Sequence, residues 1–165
     1  MNYHIRYVKA EDEEEVMNIY QSLIGTAGCT WNSEYPSMED VRMDTKNSAL
    51  YCMVDENSYI IAVAAADDDC ELNHLTCWKN GIKRWCDLKM VAVKKNMQNQ
   101  GLGKILVSYI IDDVKKRGFD GMRMIVGKAN SSALALYNQL HFKCCGDTYM
   151  YGIHWFCYEM EINKC

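Results

Sequence analysis

Proline is almost absent from this sequence of 165 residues, in which Pro36 stands alone, and glycine occurs only ten times. So few residues of these types leave no room for a long linker, and we expect a single domain over residues 1–165. Long hydrophobic runs are missing too, because the longest, residues 60–66, is far shorter than the roughly 20 residues that span a bilayer. The polar start of the chain does not look like a secretory leader, so we expect a cytoplasmic protein.

An excess of positive charge is also lacking. The sequence has 18 Lys and Arg against 22 Asp and Glu, which gives a formal net charge of −4 at pH 7. A broad basic face for nucleic acid is therefore not expected. What the chain does have is a hydrophobic fraction of 49% with 24% charged residues. This balance suits a packed core and argues against disorder.

Cysteine is plentiful, with nine residues, but the number is odd and the positions are scattered. We interpret them as reduced thiols rather than as a disulfide framework. Cys70, His74, Cys77 and Cys86 offer four zinc ligands, yet their spacing matches no common structural zinc site, and we expect no metal. The adjacent pair at 144–145 is interpreted as packing, with redox sensing as the alternative.

The periodicity of apolar residues predicts elements in the order β-α-α-β-β-β-α-β-α-β-β, a mixed α/β domain. The first helix is predicted to end at Gly25 and Gly28, and Ser37 with Asp40 is a helix-capping pair. Strands are predicted at residues 3–9, 50–54, 59–65, 85–93, 122–126, 144–149 and 155–162, and helices at 11–24, 37–46, 101–117 and 131–140.

A glycine-containing turn between a strand and a strong helix carries the clearest chemical signal. Gly101 and Gly103 allow backbone amides to approach a ligand closely, and the following helix directs its unsatisfied N–H groups to the same place. Lys104 adds a charge. The spacing fits neither a Walker loop nor a dinucleotide fingerprint. The turn alone is therefore interpreted either as a phosphate site or as a plain tight turn.

The residues on both sides of this turn extend the pattern. Upstream, residues 87–93 read Asp-Leu-Lys-Met-Val-Ala-Val, and downstream Asn130 opens an Asn-x-x-Ala-x-x-x-Tyr helix followed by His141 and Phe142. With the Gln-x-x-Gly-x-Gly turn between them, these motifs over residues 85–145 resemble the GNAT family of N-acetyltransferases. The resemblance implies an α/β (α+β) fold with a mixed, mostly antiparallel central sheet of six to seven strands and four helices on its two faces.

The resemblance also implies acetyl-CoA as co-substrate, bound where the strands at 85–93 and 122–126 splay apart. Val91, Ala92 and Val93 would pair with the pantetheine arm, and one backbone N–H there would polarise the thioester carbonyl. Asn130 would contact the cofactor's polar parts. The pyrophosphate would lie on the turn formed by Gln98, Asn99, Gln100, Gly101, Leu102, Gly103 and Lys104.

Two side chains are the catalytic candidates. Asp87 stands where the family often has a glutamate base, and it would take the proton that an alkylammonium must lose before attack. Its alternative is a solvated strand carboxylate. Tyr137 matches the family's acid for the leaving thiolate, and its alternative is a core tyrosine. His141 replaces a usual glycine, and Ile125 stands where relatives that acetylate peptide N-termini have a glutamate.

The acceptor is expected to be the primary amine of a small molecule or an amino acid. Trp31, Tyr35, His74 and Asp87 are the candidate contacts, beside acidic residues 67–69 that suit a cation or, alternatively, form a solvated turn. A peptide or protein N-terminal or lysine acceptor is the alternative, and a non-catalytic acyl-CoA sensor is a third. The protein is expected to be a monomer or homodimer without nucleic-acid or membrane partners.

Overall fold

The computed structural model describes residues 1–162, and within them the chain forms seven strands and four α-helices. The strands are β1 Tyr3–Tyr7, β2 Leu50–Asp55, β3 Ile60–Asp67, β4 Trp85–Val93, β5 Gly121–Gly127, β6 Lys143–Met150 and β7 Ile153–Glu161. The helices are α1 Glu13–Leu23, α2 Met38–Lys46, α3 Leu102–Lys116 and α4 Ser131–Gln139. This order of elements is the one that the sequence predicts.

The seven strands form one sheet in the order β1-β2-β3-β4-β5-β7-β6. Neighbours are antiparallel at β1–β2, β2–β3, β5–β7 and β6–β7, whereas β4 and β5 are parallel. The parallel register comprises three pairs at the start of both strands, from Trp85 with Gly121 to Asp87 with Arg123. The predicted mixed, mostly antiparallel sheet of six to seven strands is confirmed.

Local sequence explains several of these boundaries. The Ser37 hydroxyl accepts from the Asp40 amide at 3.1 Å, and Asp40 Oδ2 accepts from the Ser37 amide at 2.8 Å, which closes the predicted capping box of α2. The first helix ends at Leu23, one residue before the predicted end. Gly28 serves packing instead, because a Cβ there would lie 2.8 Å from the Asn130 Cα.

The chain divides into two compact units, and the division falls within β4 after Leu88 and within α3 after Ile110. The first unit comprises residues 1–26, 31–66 and 89–110. Its core packs α1 and α2 residues with β2, β3 and the end of β4, and Trp31 and Met38 pack against that core. Val16, Tyr20 and Val41 are wholly buried there.

The second unit comprises residues 27–30, 67–88 and 111 onward. Its buried side chains come mainly from β5, β7 and the start of β4, among them Met122, Met124 and Cys157. Phe119 is buried beneath the Arg84 guanidinium, which lies 3.9 Å from the ring centroid. Over the residues that are described, no helix combines the length and the apolar character that crossing a membrane requires.

Candidate functional site

The glycine-containing turn lies in the first unit, directly before α3. Residues 98–101 are exposed, and two of them have left-handed backbone, Asn99 at φ 62° and Gly101 at φ 77°. Gln98 Nε2 donates to the Val93 carbonyl at 3.1 Å and so ties the turn to the end of β4. The first N–H groups of α3 have no partner within the helix. An exposed turn followed by these groups is suited to an anion.

Strand β4 contains an irregularity that the sequence does not reveal. Met90 is 6% exposed and has φ 53°, which is unusual for a non-glycine residue within a strand. The wholly buried Tyr20 of α1 donates its hydroxyl to the Met90 carbonyl at 2.9 Å, and Trp31 packs edge-on against Tyr20 at 5.2 Å. Tyr20 therefore secures the backbone immediately before Val91, Ala92 and Val93.

In the second unit Asp87 forms a buried ion pair with Arg123. Arg123 Nε donates to Asp87 Oδ1 at 2.6 Å, and the two residues are 4% and 3% exposed. They are direct neighbours in the β4–β5 register. Asp87 Oδ2 is also buried, and no described residue forms a hydrogen bond with it. Oδ1 of Asp87 therefore has a hydrogen-bond partner, whereas Oδ2 has none among the described residues.

Burial raises the pKa of Asp87 from 3.8 to about 6, against the opposing effect of Arg123. The nearby Asp69 and Asp67 carboxylates raise the pKa further. At 4% exposure the Asp87 side chain lies out of the solvent. A carboxylate with a pKa near 6 is mostly ionised at neutral pH yet basic enough to accept a proton.

Helix α4 presents Tyr137 and is capped at both ends. The Asn130 side chain accepts from the Ala133 amide at 3.2 Å, which gives the Asn-x-x-Ala motif a structural role as an N-cap. Tyr137 is 6% exposed, its ring lies 5.7 Å from that of Phe142, and burial raises its pKa above the usual value. The Tyr137 hydroxyl is therefore protonated at neutral pH.

The helix end shows why His141 is tolerated where a glycine is usual. His141 has φ 68°, as we expect from histidine's tolerance of this region. Its amide bonds the Asn138 carbonyl at 3.1 Å, and the Phe142 amide bonds the Tyr137 carbonyl at 3.0 Å. These two bonds form a Schellman cap, so the turn that follows Tyr137 survives the substitution.

The remaining candidate contacts to an acceptor are spread over both units. In the first unit, Trp31 is half-buried, and Tyr35 is 42% exposed beside a short bridge to Asn32. In the second, His74 is exposed, with its ring nitrogens at 3.0 Å from the Glu71 carbonyl and 3.3 Å from Met150 Sδ.

The acidic residues 67–69, at the end of β3 and just after it, are less buried than Asp87. Asp68 and Asp69 are exposed, and Asp69 Oδ1 accepts from the Glu71 amide at 3.0 Å at the start of a short 3₁₀ helix, Glu71–His74. A cavity of about 170 Å³ lies beside this segment and is lined in part by Asn73, Lys83 and Arg123.

The cysteines of residues 67–86 lie in different surroundings. Cys77 Sγ lies 3.6 Å from Cys145 Sγ of β6, while Cys86 is buried, which raises its thiol pKa to about 12. Within residues 1–162 no group of three or more His, Cys, Asp or Glu is arranged to hold a metal ion. The eight cysteines described there are free thiols.

Sequence reasoning missed Tyr20 in the first unit and Arg123 in the second. Tyr20 gave no signal, since it lies on the apolar stripe of an ordinary amphipathic helix. Arg123 did give one, because it interrupts the otherwise uncharged strand Gly-Met-Arg-Met-Ile-Val-Gly. A charge that is buried in such a strand requires a partner, and the only acidic residue of β4 is Asp87.

Comparisons with known proteins agree on one family. The model of the Acetyltransferase (GNAT) family matches residues 4–142. The [ribosomal protein bS18]-alanine N-acetyltransferase of Escherichia coli K12 is 40% identical over 52 residues. That match spans 32% of this chain and 35% of the relative, so the chain covers about a third of the relative's length.

Solved structures resemble the chain over its whole length. A GNAT-family acetyltransferase from Streptococcus agalactiae has a TM-score of 0.81 at 16% identity and covers 99% of this chain and 96% of its own. The yncA protein of Salmonella typhimurium, solved with its cofactor acetyl-CoA, has a TM-score of 0.79 at 17% identity and covers 100% and 96%. At such identities these likenesses show a shared fold.

Proposed function

The chain belongs to the GNAT family of acetyltransferases, and on that premise we propose that it transfers the acetyl group of acetyl-CoA to a primary amine of a small molecule or amino acid. The observation that carries the proposal is the exposed turn at 98–101, whose left-handed Asn99 and Gly101 lead into the N-terminus of α3. Such a turn suits the pyrophosphate of the cofactor. The proposed contacts are the backbone amides of residues 98–104.

The backbone after Met90 supports the role proposed for β4. A left-handed residue in a strand redirects the peptide groups that follow it. In the proposed reaction, one amide among Val91, Ala92 and Val93 donates to the thioester oxygen as negative charge develops there. Donors aimed at such an oxygen are worth roughly 3–4 kcal/mol of barrier in enzymes of acyl transfer. Asn130 is the proposed further contact to the cofactor.

Asp87 and Tyr137 are the proposed proton acceptor and donor. Asp87 takes a proton from the alkylammonium, the free amine attacks the thioester carbonyl, and the carbon–sulfur bond breaks. Tyr137 gives its proton to the coenzyme A thiolate and regains one from the attacking nitrogen, which loses its second N–H proton as the amide forms. Asp87 then releases its proton to solvent. The pKa of about 6 supports the role of Asp87, because a base must be ionised at neutral pH and still able to accept a proton.

A peptide N-terminus is the second candidate acceptor, and the similarity to the [ribosomal protein bS18]-alanine N-acetyltransferase favours it. That similarity is confined to 52 residues. Ile125 favours the small amine, because relatives that acetylate peptide N-termini have a glutamate at this position. Trp31, Tyr35, His74 and Asp87 remain the proposed acceptor contacts.

Thermal unfolding with acetyl-CoA, and with AMP as a control, tests the cofactor. Saturation at 100 times Kd is worth about 2.7 kcal/mol, or roughly 5–10 °C in Tm for a chain of this size. We expect this shift with acetyl-CoA and not with AMP. The release of coenzyme A thiol with a panel of small amines, amino acids and peptides then identifies the acceptor. No shift at millimolar acetyl-CoA would reject the proposal.

Two glycines provide a matched test of the turn. Gly101 at φ 77° and Gly152 at φ 74° both have open space where a Cβ would stand. Replacement by alanine therefore costs each a similar amount of backbone strain, roughly 1–2 kcal/mol. We expect Gly101→Ala to weaken acetyl-CoA binding at least tenfold by calorimetry, in line with the loss of a charge-assisted hydrogen bond of about 1.5–3 kcal/mol. Gly152→Ala should leave affinity unchanged, and equal affinities would contradict the proposed contact.

A further inference from the structure

The buried carboxylate of Asp87 has its two oxygens in different situations. Oδ1 accepts a short, charge-assisted hydrogen bond from Arg123 Nε, whereas Oδ2 is buried without a partner among the described residues. A buried carboxylate oxygen without a donor is costly, and such groups in native structures call for an explanation. The unpartnered oxygen is therefore the one available to a ligand that brings its own N–H.

Arg123 is itself held by three other residues. Its NH2 group donates to Asn73 Oδ1, and its guanidinium lies 5.3 Å and 5.4 Å from the ring centroids of Trp78 and Trp85. Guanidinium groups stack favourably on indole faces. With so many contacts at 3% exposure, Arg123 has little freedom to turn away from Asp87.

Two of these holding residues come from the segment between β3 and β4. Asn73 lies in the short 3₁₀ helix Glu71–His74, and Trp78 follows it and donates its indole N–H to the Leu72 carbonyl at 2.9 Å. The segment at 67–84 between β3 and β4, called the insertion below, therefore contacts Arg123 through Asn73 and Trp78. This gives the insertion a role that does not depend on its thiols.

We propose that Arg123 is a positioning residue for Asp87, and that by holding Oδ1 it leaves Oδ2 as the single oxygen that receives the acceptor's proton. This inference rests on the proposed function. In the step itself the alkylammonium loses one N–H proton to Oδ2, which yields a neutral amine and a neutral carboxylic acid. Arg123 keeps its charge throughout and touches no reacting atom.

The charges around Asp87 fix the direction of the expected change. Arg123 favours the ionised carboxylate, while burial, Asp69 and Asp67 favour the protonated acid, and the adjacent Cys86 is a buried thiol. Without the Arg123 guanidinium the pKa of Asp87 rises. More of the Asp87 carboxyl is then protonated at neutral pH and cannot act as a base. An opposite charge at this distance is worth about 1–3 pH units.

The test is the pH profile of kcat/KM for an amine that wild type acetylates, measured in Arg123→Met, Arg123→Lys and wild type. The acidic limb of this profile is the low-pH range in which kcat/KM rises as Asp87 ionises. In Arg123→Met we expect it to move at least about one pH unit higher, with recovery of activity at high pH. Arg123→Lys keeps the positive charge but not the planar guanidinium, so the acidic limb of its profile should move less. The ¹³C titration of the Asp87 carboxyl should show the same order.

Arg6→Met is the matched control, because Arg6 also pairs with a carboxylate, Asp12, at 2.7 Å. It should lower Tm without moving the limb. If Arg123→Met does not fold, Asn73→Ala loosens the same guanidinium from an exposed position, and its limb should move in the same direction.

Failure of the proposed function and failure of the positioning role would give different results. Wild type that transfers acetyl to no amine refutes the proposed function. Active wild type whose Arg123 and Asn73 variants lose stability but keep the limb at the wild-type pH refutes the positioning role alone, because a merely structural ion pair predicts that outcome.

Discussion

The two units contribute different kinds of chemical group to the proposed reaction. The first contributes backbone: the left-handed turn at 98–101 and the peptide groups that follow Met90. The second contributes side chains: the Asp87 carboxylate with its Arg123 partner, and the Tyr137 hydroxyl. Backbone amides do not titrate, whereas the protonation of Asp87 and Tyr137 depends on burial and on nearby charge.

This difference determines how each unit should respond to mutation. In the first unit, geometry is set by φ angles and by the neutral hydrogen bond from Tyr20, so its variants should act alike at every pH. In the second unit, Asp87 is balanced between burial, which disfavours its charge, and Arg123, which favours it. Variants there should act through the pH profile. The following substitutions test this contrast, beginning with the largest expected effect.

Asp87→Asn removes the proposed base and keeps the shape of the side chain. We expect kcat/KM at pH 7 to fall by about 100-fold, the lower end of what a positioned general base supplies. The loss should shrink above about pH 9, where more of an alkylamine of pKa near 10 is already free. Steady-state kinetics from pH 6 to about pH 10 measure this.

Asp44→Asn is the control for this change, because Asp44 of the first unit is 5% exposed and lies 3.8 Å from the Lys89 amine. It should change stability but not the shape of the profile. A loss in Asp87→Asn that is the same at every pH would remove the base assignment and, with it, the contrast between the units.

Tyr137→Phe removes the proposed donor to the thiolate while keeping the ring against Phe142. We expect kcat to fall more than tenfold with little change in acetyl-CoA affinity, as for an interaction made only in the transition state. Tyr158→Phe is matched, since Tyr158 is also 6% exposed and lies in the same unit. Equal kcat values in the two variants would assign Tyr137 to packing alone.

Most of the fold follows from local sequence. The apolar period, the capping pair at Ser37 and the glycines predict all seven strands and four helices, with ends that shift by a residue or two. The turn at 98–104 is readable for the same reason, because Gly101 and the helix that follows are neighbours in the chain. Even the left-handed His141 follows from a local rule.

The contacts that distinguish this site are not local. Arg123 and Asp87 are 36 residues apart in the chain and meet only through the parallel register of β4 and β5. Tyr20 and Met90 are 70 residues apart. A periodic pattern shows which face of a strand is buried but not which buried residues are opposite each other, so the sequence named Asp87 without its partner.

Tyr20→Phe is the smallest predicted effect and the most direct test of the first unit. It leaves the Met90 carbonyl buried without its donor, which should cost about 1–3 kcal/mol of stability in chemical denaturation. The left-handed Met90 then loses a contact that secures it, so the amides of Val91 to Val93 should exchange hydrogen faster.

In Tyr20→Phe we expect kcat to fall about fivefold, well below the cost of removing an oxyanion donor, because the proposed donor remains but is held less firmly. The fall should be the same from pH 6 to about pH 9, since burial raises the pKa of the Tyr20 hydroxyl well above this range. Tyr59→Phe, at a position 59% exposed, should match wild type in all three measurements. A Tyr20→Phe variant that moves the acidic limb would show that the two units are coupled through protonation, and would break the contrast between backbone and side-chain chemistry.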